Sequence, residues 1–210
     1  MQQLEVNGAR YAFKIHQKDT TLPYLIMLHG FMGDHRVFDH LIDDLKQCCN
    51  PITVDLLGHG QSEQAKNPSR YFAKYQIQDL KTLIAQLNIS PFFLYGYSMG
   101  GRLSLRLALE FPELCYGLIL ESTNDGIEDK LLRKERMNLD EKRANKLLND
   151  FDLFLSDWQK LDLFKSKIPV DKTLEKKYRN IQRSQKPEAL AASLLGFSNG
   201  NMESVRSELD

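Results

Sequence analysis

A serine between two glycines is the first feature of this sequence that could carry out a reaction. Residues 96–100 read Gly-Tyr-Ser-Met-Gly, and they lie between an apolar stretch at 92–95 and a stretch with helical spacing at 103–109. A nucleophile elbow requires this strand–turn–helix context, because the turn is tight and only small residues fit beside the serine. Such a turn holds the Ser98 hydroxyl near the positive end of the helix and frees the Met99 N–H to donate to an anionic oxygen. The pattern predicts Ser98 as a nucleophile and Met99 as half of an oxyanion hole.

Two earlier loops belong to the same framework. His29-Gly30-Phe31 follows the apolar residues 24–28, and the Gly-rich loop 55–62, Asp-Leu-Leu-Gly-His-Gly-Gln-Ser, follows the apolar residues 52–54. The backbone N–H of Phe31 is predicted to be the second donor of the oxyanion hole.

Arg102 lies one helical turn beyond the serine, on the same face of the predicted helix. A cation near a helix N-terminus opposes the helix dipole, so its position indicates a nearby anion that offsets this cost. Farther along the chain come Arg133, Arg136 and Arg183, and the only tryptophan, Trp158. Guanidinium groups that converge on one pocket suit a substrate with several carboxylates, because each can bind a carboxylate through two hydrogen bonds. For each of the three later arginines, the alternative is a solvated helix face.

The elements that must hold these residues alternate between strand and helix. Residues 5–6 and 11–15 flank an Asn-Gly turn signal and predict a β-hairpin. Continuous apolar stretches predict strands buried on both faces at 24–28, 52–54, 92–95 and 118–120. Helical spacing of apolar residues predicts helices within 37–47, 80–87 and 103–109. This alternation predicts an α/β fold with a mostly parallel sheet that is covered on both faces.

After Glu121 the composition changes. Residues 123–186 contain 16 Lys or Arg and 12 Asp or Glu, which gives this segment a charge of +4 although the whole chain has none. Its apolar residues recur at helical spacing and no buried strand is predicted. We expect a helical lid inserted after the strand that ends near Glu121.

Composition excludes several classes of protein. With 42% hydrophobic residues, the chain has enough apolar side chains to form a core. Its 28 basic and 28 acidic side chains give no net charge, which argues against binding to nucleic acid and against a polybasic membrane-binding surface. The sequence begins without signal-peptide features, no apolar run reaches the roughly 18 residues of a membrane-spanning helix, and the three cysteines form no paired framework. We expect a cytoplasmic protein that binds neither nucleic acid nor membrane, as a monomer or weak homo-oligomer.

On the three segments above, residues 5–121 resemble the α/β-hydrolase superfamily. Over nearly its whole length the chain is similar to one family within it, the 2-succinyl-6-hydroxy-2,4-cyclohexadiene-1-carboxylate (SHCHC) synthases of menaquinone biosynthesis. The segments that carry this closer resemblance are 28–31, 55–60, 96–102 and 120–122, with Arg133-x-x-Arg136-x-x-x-Asp140, Asp157-Trp158, Leu163-Phe164, and Arg183 before 189–191 in the lid.

The resemblance implies a carbon–oxygen lyase that eliminates pyruvate from 2-succinyl-5-enolpyruvyl-6-hydroxy-3-cyclohexene-1-carboxylate, a small polycarboxylate, with no metal and no organic cofactor. It implies Ser98 as a member of the triad and Phe31 and Met99 as the oxyanion hole. The substrate-binding positions that it implies are Tyr97, Arg102, Arg133, Arg136, Trp158 and Arg183. We expect a core at 1–122, a helical lid at 123–205 and the start of a return to the core at 206–210.

The triad histidine has no candidate in the expected place. The chain order in this fold is Ser, then Asp or Glu, then His, whereas all five histidines precede Ser98. His29, beside the oxyanion loop, is predicted to be a structural residue and not the base. We therefore expect that the final strands and helix of the fold, with the triad acid and base, are absent from these 210 residues, which would leave the chain inactive.

Three functions remain open from the sequence. The first is the lyase, and the second is a serine esterase or thioesterase of the same fold, in which Ser98 forms an acyl-enzyme. The third is a non-catalytic binding protein or inactive fragment, which the missing histidine favours.

Overall fold

The computed structural model describes residues 1–65, 67–164 and 171–209. At its centre is a six-stranded sheet with the strand order β1-β2-β4-β3-β5-β6. The strands are β1 (Gln2–Val6), β2 (Ala9–Ile15), β3 (Tyr24–Leu28), β4 (Asn50–Val54), β5 (Phe92–Tyr97) and β6 (Cys115–Glu121). Strand β2 is antiparallel to both β1 and β4, and β4, β3, β5 and β6 are mutually parallel. The predicted hairpin and mostly parallel sheet are confirmed.

The hairpin is set by its two turn residues. Asn7 and Gly8 both have positive φ, 49° and 77°. This conformation matches the twist of the flanking strands and is one that Asn and Gly adopt with little strain. The local sequence was therefore sufficient to predict this turn.

Strand β3 is buried on both faces, as its apolar composition predicts. Ile26 and Leu28 point into the main core beneath the helices α2 (Ala73–Gln86) and α3 (Met99–Glu110). Leu25 and Met27 point to the other face, where they pack with residues of 38–49. The registers pair Leu28 with both Val54 and Gly96, so the chain leaves β3, β4 and β5 at one edge of the sheet.

Strand β6 differs from the prediction that every strand is covered on both faces. Tyr116 is 67% exposed and Ile119 is 50% exposed. Among the described residues β6 pairs only with β5 and forms the edge of the sheet, so no further strand covers its exposed side chains.

The predicted helix over 37–47 is also wrong as a continuous element. The chain forms a 3₁₀ turn at His35–Phe38 and only one α-helical turn, α1 (Ile42–Leu45). Between them the N–H groups of Asp39 and Leu41 donate three residues back along the chain, which tightens it out of α-helical geometry. This path lets both Phe38 and Ile42 reach the core.

Four helices follow β6 where the lid is predicted. They are α4 (Lys130–Asn149), α5 (Phe151–Gln159), α6 (Lys172–Arg183) and α7 (Pro187–Gly196). Asp129, Asp150 and Asp171 cap the first three, each accepting hydrogen bonds from N–H groups of the first turn. The proposed domain boundaries remain a prediction, and residues 165–170 and 210 of the predicted segments lie outside the described residues.

Three of the predicted lid helices, α4, α5 and α7, share an apolar core that includes part of the loop after β3, the predicted oxyanion loop. Leu147, Phe154 and Leu190 pack around Met32, which is fully buried, and Phe31 lies against the same cluster. The lid therefore sits directly on the loop that follows β3. None of the helices in the described ranges combines the length and apolar composition that a bilayer-spanning helix needs.

Candidate active site

Ser98 lies at the turn between β5 and α3 with the backbone geometry of a nucleophile elbow. Its φ is 51° and its ψ is −107°, a strained conformation for a residue other than glycine. The turn is held by two hydrogen bonds, from the Ser98 N–H to the Glu121 carbonyl at 2.9 Å and from the Gly100 N–H to the His29 carbonyl at 3.1 Å. Such strain persists only where the surroundings fix it, which is typical of a functional serine.

Close packing explains the glycines on either side of the serine. A Cβ on Gly96 would lie 2.5 Å from the Gly101 Cα and 2.7 Å from the Gly100 carbonyl oxygen. A Cβ on Gly100 would lie 2.6 Å from the His29 carbonyl oxygen and would also collide with Leu28. The helix that begins after Ser98 therefore approaches β3 as closely as its backbone allows.

The two predicted oxyanion-hole donors lie on either side of the serine. Met99 is the first residue of α3, where the helix itself offers no acceptor for the N–H. Phe31 follows Gly30, whose missing Cβ leaves room for the Tyr97 ring and the Ser98 Cβ. Neither N–H donates a hydrogen bond to another described residue. Both are free to stabilise negative charge on a substrate oxygen.

The imidazole nearest this edge of the sheet has a structural role. His29 is fully buried, its Nε2 accepts the Leu56 N–H at 3.0 Å, and its Nδ1 lies 2.7 Å from the Gly30 carbonyl oxygen. Burial lowers the pKa of His29, and it lowers the pKa of His59 to about 3. Both imidazoles are therefore neutral at pH 7, and His29 has no ring nitrogen left to act on Ser98.

An aromatic cavity of about 390 Å³ opens beside the elbow. Its lining includes Phe31, Tyr97, Trp158, Tyr178 and the Glu121 carboxylate. The Trp158 ring lies 5.4 Å from the Phe31 ring, so the lid helix α5 closes the cavity over the oxyanion loop. The structure thus brings the predicted residues Phe31, Tyr97 and Trp158 to one place.

Three tyrosines surround the Glu121 carboxylate. The Tyr95 hydroxyl donates to Glu121, and burial together with this carboxylate raises the pKa of Tyr95 and Tyr97. Burial, Tyr97 and Glu121 also raise the pKa of Tyr178. The phenols therefore stay protonated at pH 7. Tyr95 already donates to Glu121 and Tyr178 to the Val37 carbonyl at 3.5 Å, whereas the Tyr97 hydroxyl makes no hydrogen bond to a described residue and can donate to a ligand. Sequence reasoning did not assign Glu121, Tyr95 or Tyr178, because only the fold brings β5, β6 and α6 together.

Arg102 lies on α3, one turn from Ser98. Its Nε is buried with no hydrogen-bond partner, and no described carboxylate lies within ion-pair distance of it. Its guanidinium lies 5.5 Å from the Phe197 ring centroid. Burial and repulsion from Arg136 lower the pKa of Arg102 to about 10, while Asp140 opposes this effect. The guanidinium is still charged at pH 7 and lacks a counter-ion of its own.

Arg136 interacts electrostatically with Arg102, whereas the contacts of the other two predicted arginines lie outside the aromatic cavity. Arg133 donates to the Ile127 carbonyl and pairs with Glu203 at 3.4 Å. Arg183 is exposed and lines a separate cavity of about 230 Å³ between α5 and α6. The structure does not bring Arg133 or Arg183 to the aromatic cavity, and their roles in substrate binding remain predictions.

One described group has the residue types of a metal site. Atoms of Asp34, His35 and Asp55 lie within 4.8 Å of one another. Asp34 already accepts hydrogen bonds from Arg36 and from Gln185 of the lid, and Asp55 accepts two from His35. These contacts use the carboxylate oxygens, so the group acts as a polar network that joins the lid to the core.

Comparisons with known proteins give consistent matches. A family model described as the alpha/beta hydrolase fold matches residues 23–189. A Bacillus subtilis (strain 168) protein, provisionally named 2-succinyl-6-hydroxy-2,4-cyclohexadiene-1-carboxylate synthase, is 32% identical over 205 residues, which cover 97% of this chain and 74% of that protein. A Salmonella arizonae protein with the same synthase name is 33% identical over 69% of this chain and 56% of its own length. The solved structure of MenH from S. aureus has a TM-score of 0.83 and 32% identity, over 93% of this chain and 73% of that one.

Proposed function

The chain belongs to the alpha/beta hydrolase fold family and, within it, to the family of the SHCHC synthases, and on this premise we propose that it acts in menaquinone biosynthesis. The proposed reaction eliminates pyruvate from 2-succinyl-5-enolpyruvyl-6-hydroxy-3-cyclohexene-1-carboxylate and gives SHCHC. The observation that carries this proposal is the charged Arg102 guanidinium one turn from Ser98, without a carboxylate partner among the described residues.

A substrate carboxylate would supply the counter-ion that Arg102 lacks among the described residues. A cation that is partly withdrawn from water and has no counter-ion is costly, and a ligand carboxylate would remove much of that cost. Arg136 adds a second guanidinium, which pairs with Asp140 at 2.8 Å and still lowers the pKa of Arg102, so a ligand anion would offset the remaining repulsion. The enolpyruvyl substrate is a polycarboxylate, so it fits this excess of positive charge better than a neutral ester does.

The residues of the elbow would share the chemistry as follows. Ser98, once deprotonated, removes a proton from the substrate ring, and the electron pair left behind forms the new double bond as the ring C–O bond breaks. The enolpyruvate that leaves takes up a proton and becomes pyruvate, so atoms and charge balance. The N–H groups of Phe31 and Met99 stabilise negative charge that develops on a substrate carbonyl oxygen. No described imidazole is hydrogen-bonded to Ser98, so the base that deprotonates it is left unassigned.

A serine esterase is the second candidate, and the cavity is the observation that favours it. Aromatic and apolar side chains dominate its lining, and no arginine is among them. Such a cavity suits the acyl or alcohol part of a neutral ester, with Ser98 forming an acyl-enzyme. The third candidate, binding without turnover, is favoured by the structural role of His29.

One experiment separates the three candidates. The protein is incubated with the enolpyruvyl substrate and, separately, with p-nitrophenyl acetate, and pyruvate and p-nitrophenol are followed. The lyase predicts pyruvate release with little ester hydrolysis, and the esterase predicts the reverse. Neither product, together with saturable binding of the enolpyruvyl substrate in calorimetry, would support the binding protein and contradict the proposed activity.

A further inference from the structure

Asp140 is a fully buried carboxylate in α4 for which the reaction above has no role. It accepts hydrogen bonds from Arg136 Nε at 2.8 Å, from an Arg143 guanidinium N–H at 3.2 Å and from the Ser198 hydroxyl at 2.7 Å. Two of these donors are charged, and charge-assisted hydrogen bonds are the stronger and better oriented kind. Asp140 therefore fixes the position of both guanidinium groups.

The two arginines held by Asp140 reach different sides of the active site. Arg136 lies on the Arg102 side, because Ser198, which donates to the same Asp140 oxygen as Arg136, follows Phe197, whose ring centroid is 5.5 Å from the Arg102 guanidinium. Arg143 extends the other way, and its guanidinium lies 5.2 Å from the centroid of the Trp158 ring. Trp158 in turn lines the aromatic cavity. A single carboxylate thus connects the cationic side of the site with its aromatic side.

The charges of this cluster do not cancel. It contains three guanidinium groups, of Arg102, Arg136 and Arg143, and one carboxylate, of Asp140. No other carboxylate in the described ranges pairs with these arginines. The cluster therefore has a net charge of +2 and matches a ligand group with two negative charges.

We propose that Asp140 is the positioning residue of a dianion subsite: it holds Arg136 beside Arg102 and Arg143 over Trp158, and it leaves two positive charges for a dicarboxylate. This inference rests on the proposed function, because it names the part of the site that selects a polycarboxylate. Asp140 acts through the arginines and does not touch the ligand itself.

Trp158 provides the readout, because it is the only tryptophan in the chain. Intrinsic fluorescence is titrated with succinate in the wild type, in Asp140→Asn and in Glu175→Gln. Glu175 is the matched control, since it pairs with Arg179 four residues along a lid helix and is exposed. We expect succinate to bind at least 10-fold more weakly to Asp140→Asn, and the emission of this variant to differ from wild type before succinate is added. Glu175→Gln should match the wild type in both respects.

Arg143→Gln tests the same idea without removing the buried carboxylate, and it decides the question if Asp140→Asn does not fold. It should change the unliganded Trp158 emission and weaken succinate binding about 3-fold to 10-fold. Wild-type affinity in every folded variant of this pair, or tighter binding by Asp140→Asn, would overturn the positioning role alone. No succinate binding by the wild type would overturn the dianion subsite, whereas the proposed function is overturned only if no pyruvate is released from the enolpyruvyl substrate.

Discussion

Replacing Arg102 with methionine should make the protein more stable and at the same time remove its affinity for dicarboxylates. The pKa of Arg102 is lowered from the ordinary arginine value to about 10, chiefly by burial. One pKa unit corresponds to about 1.4 kcal/mol, so the charged side chain is disfavoured in the folded state by about 3 kcal/mol. The contact with Phe197 offsets about 1 kcal/mol of this. Methionine keeps the apolar stem, so we expect a net gain of about 2 kcal/mol.

The destabilising effect of the Arg102 charge also depends on pH. Because the pKa of Arg102 is lower in the folded state than in the unfolded chain, the charged form destabilises the protein fully below pH 10, and the effect disappears as pH rises from about 10 toward the ordinary pKa of arginine. Measurements at pH 7 therefore record the whole gain. Urea unfolding gives the free energy of unfolding, and Trp158 fluorescence gives the affinity for succinate.

Arg106→Met is the matched control, since Arg106 lies one turn further along α3 and donates to the Glu203 carbonyl. It should lower the free energy of unfolding or leave it unchanged, and it should leave succinate binding intact. If Arg102→Met is less stable than the wild type, or still binds succinate with wild-type affinity, then Arg102 has its counter-charge within the fold and the argument for an anionic substrate is wrong.

Three further predictions concern the framework of the site. Gly100→Ala should lower the free energy of unfolding, measured in urea, by about 2–4 kcal/mol, because the new Cβ would collide with the backbone of β3. Gly117→Ala is the control: its Cβ would contact only the Phe93 ring, at 3.0 Å, and the loss should be less than about 1 kcal/mol. Equal losses would contradict the packing argument. Stability should fall as pH drops below 6.5, because the folded-state pKa of His59 is about 3 and the unfolded chain takes up the proton first. His59 alone should contribute about 2 kcal/mol between pH 7 and 5, and His29 and His16, whose pKa values are also lowered by burial, add to the fall; urea titrations that show no such slope would contradict this. Gln185→Leu should cost about 2 kcal/mol and speed proteolysis of the lid, because the Gln185 amide joins Asp34 to the Gly60 N–H; an unchanged cleavage rate would exclude this tether.

The sequence was sufficient for the features that short segments encode. The Asn7-Gly8 hairpin and the turn at Ser98 follow from residues within one turn, so their types and spacing predict the geometry. The helix over 37–47 was mispredicted for the opposite reason. Its apolar spacing fits an α-helix, but Phe38 and Ile42 both reach the core through a 3₁₀ turn and one α-helical turn.

Contacts between distant segments could not be predicted. Asp140 and Arg143 are three residues apart, a spacing that suggests a pair on one helix, but the position of Arg143 over Trp158 depends on how α4 packs against α5. The Glu121 carboxylate meets Tyr95 only because β5 and β6 are adjacent strands. The contacts of Arg133 with Glu203 and of Arg183 with the cavity between α5 and α6 also depend on how distant segments pack, so the sequence did not predict them.

The rate of pyruvate release from the enolpyruvyl substrate, compared between the wild type, Ser98→Ala and Ser104→Ala, tests the central claim most directly. Ser104 is a buried serine of the same helix, so its replacement controls for loss of a hydroxyl near the elbow. The account predicts that Ser98→Ala lowers the rate by a factor of about 10³ or more, while Ser104→Ala stays within a few-fold of the wild type. Pyruvate release at the wild-type rate by Ser98→Ala would contradict it.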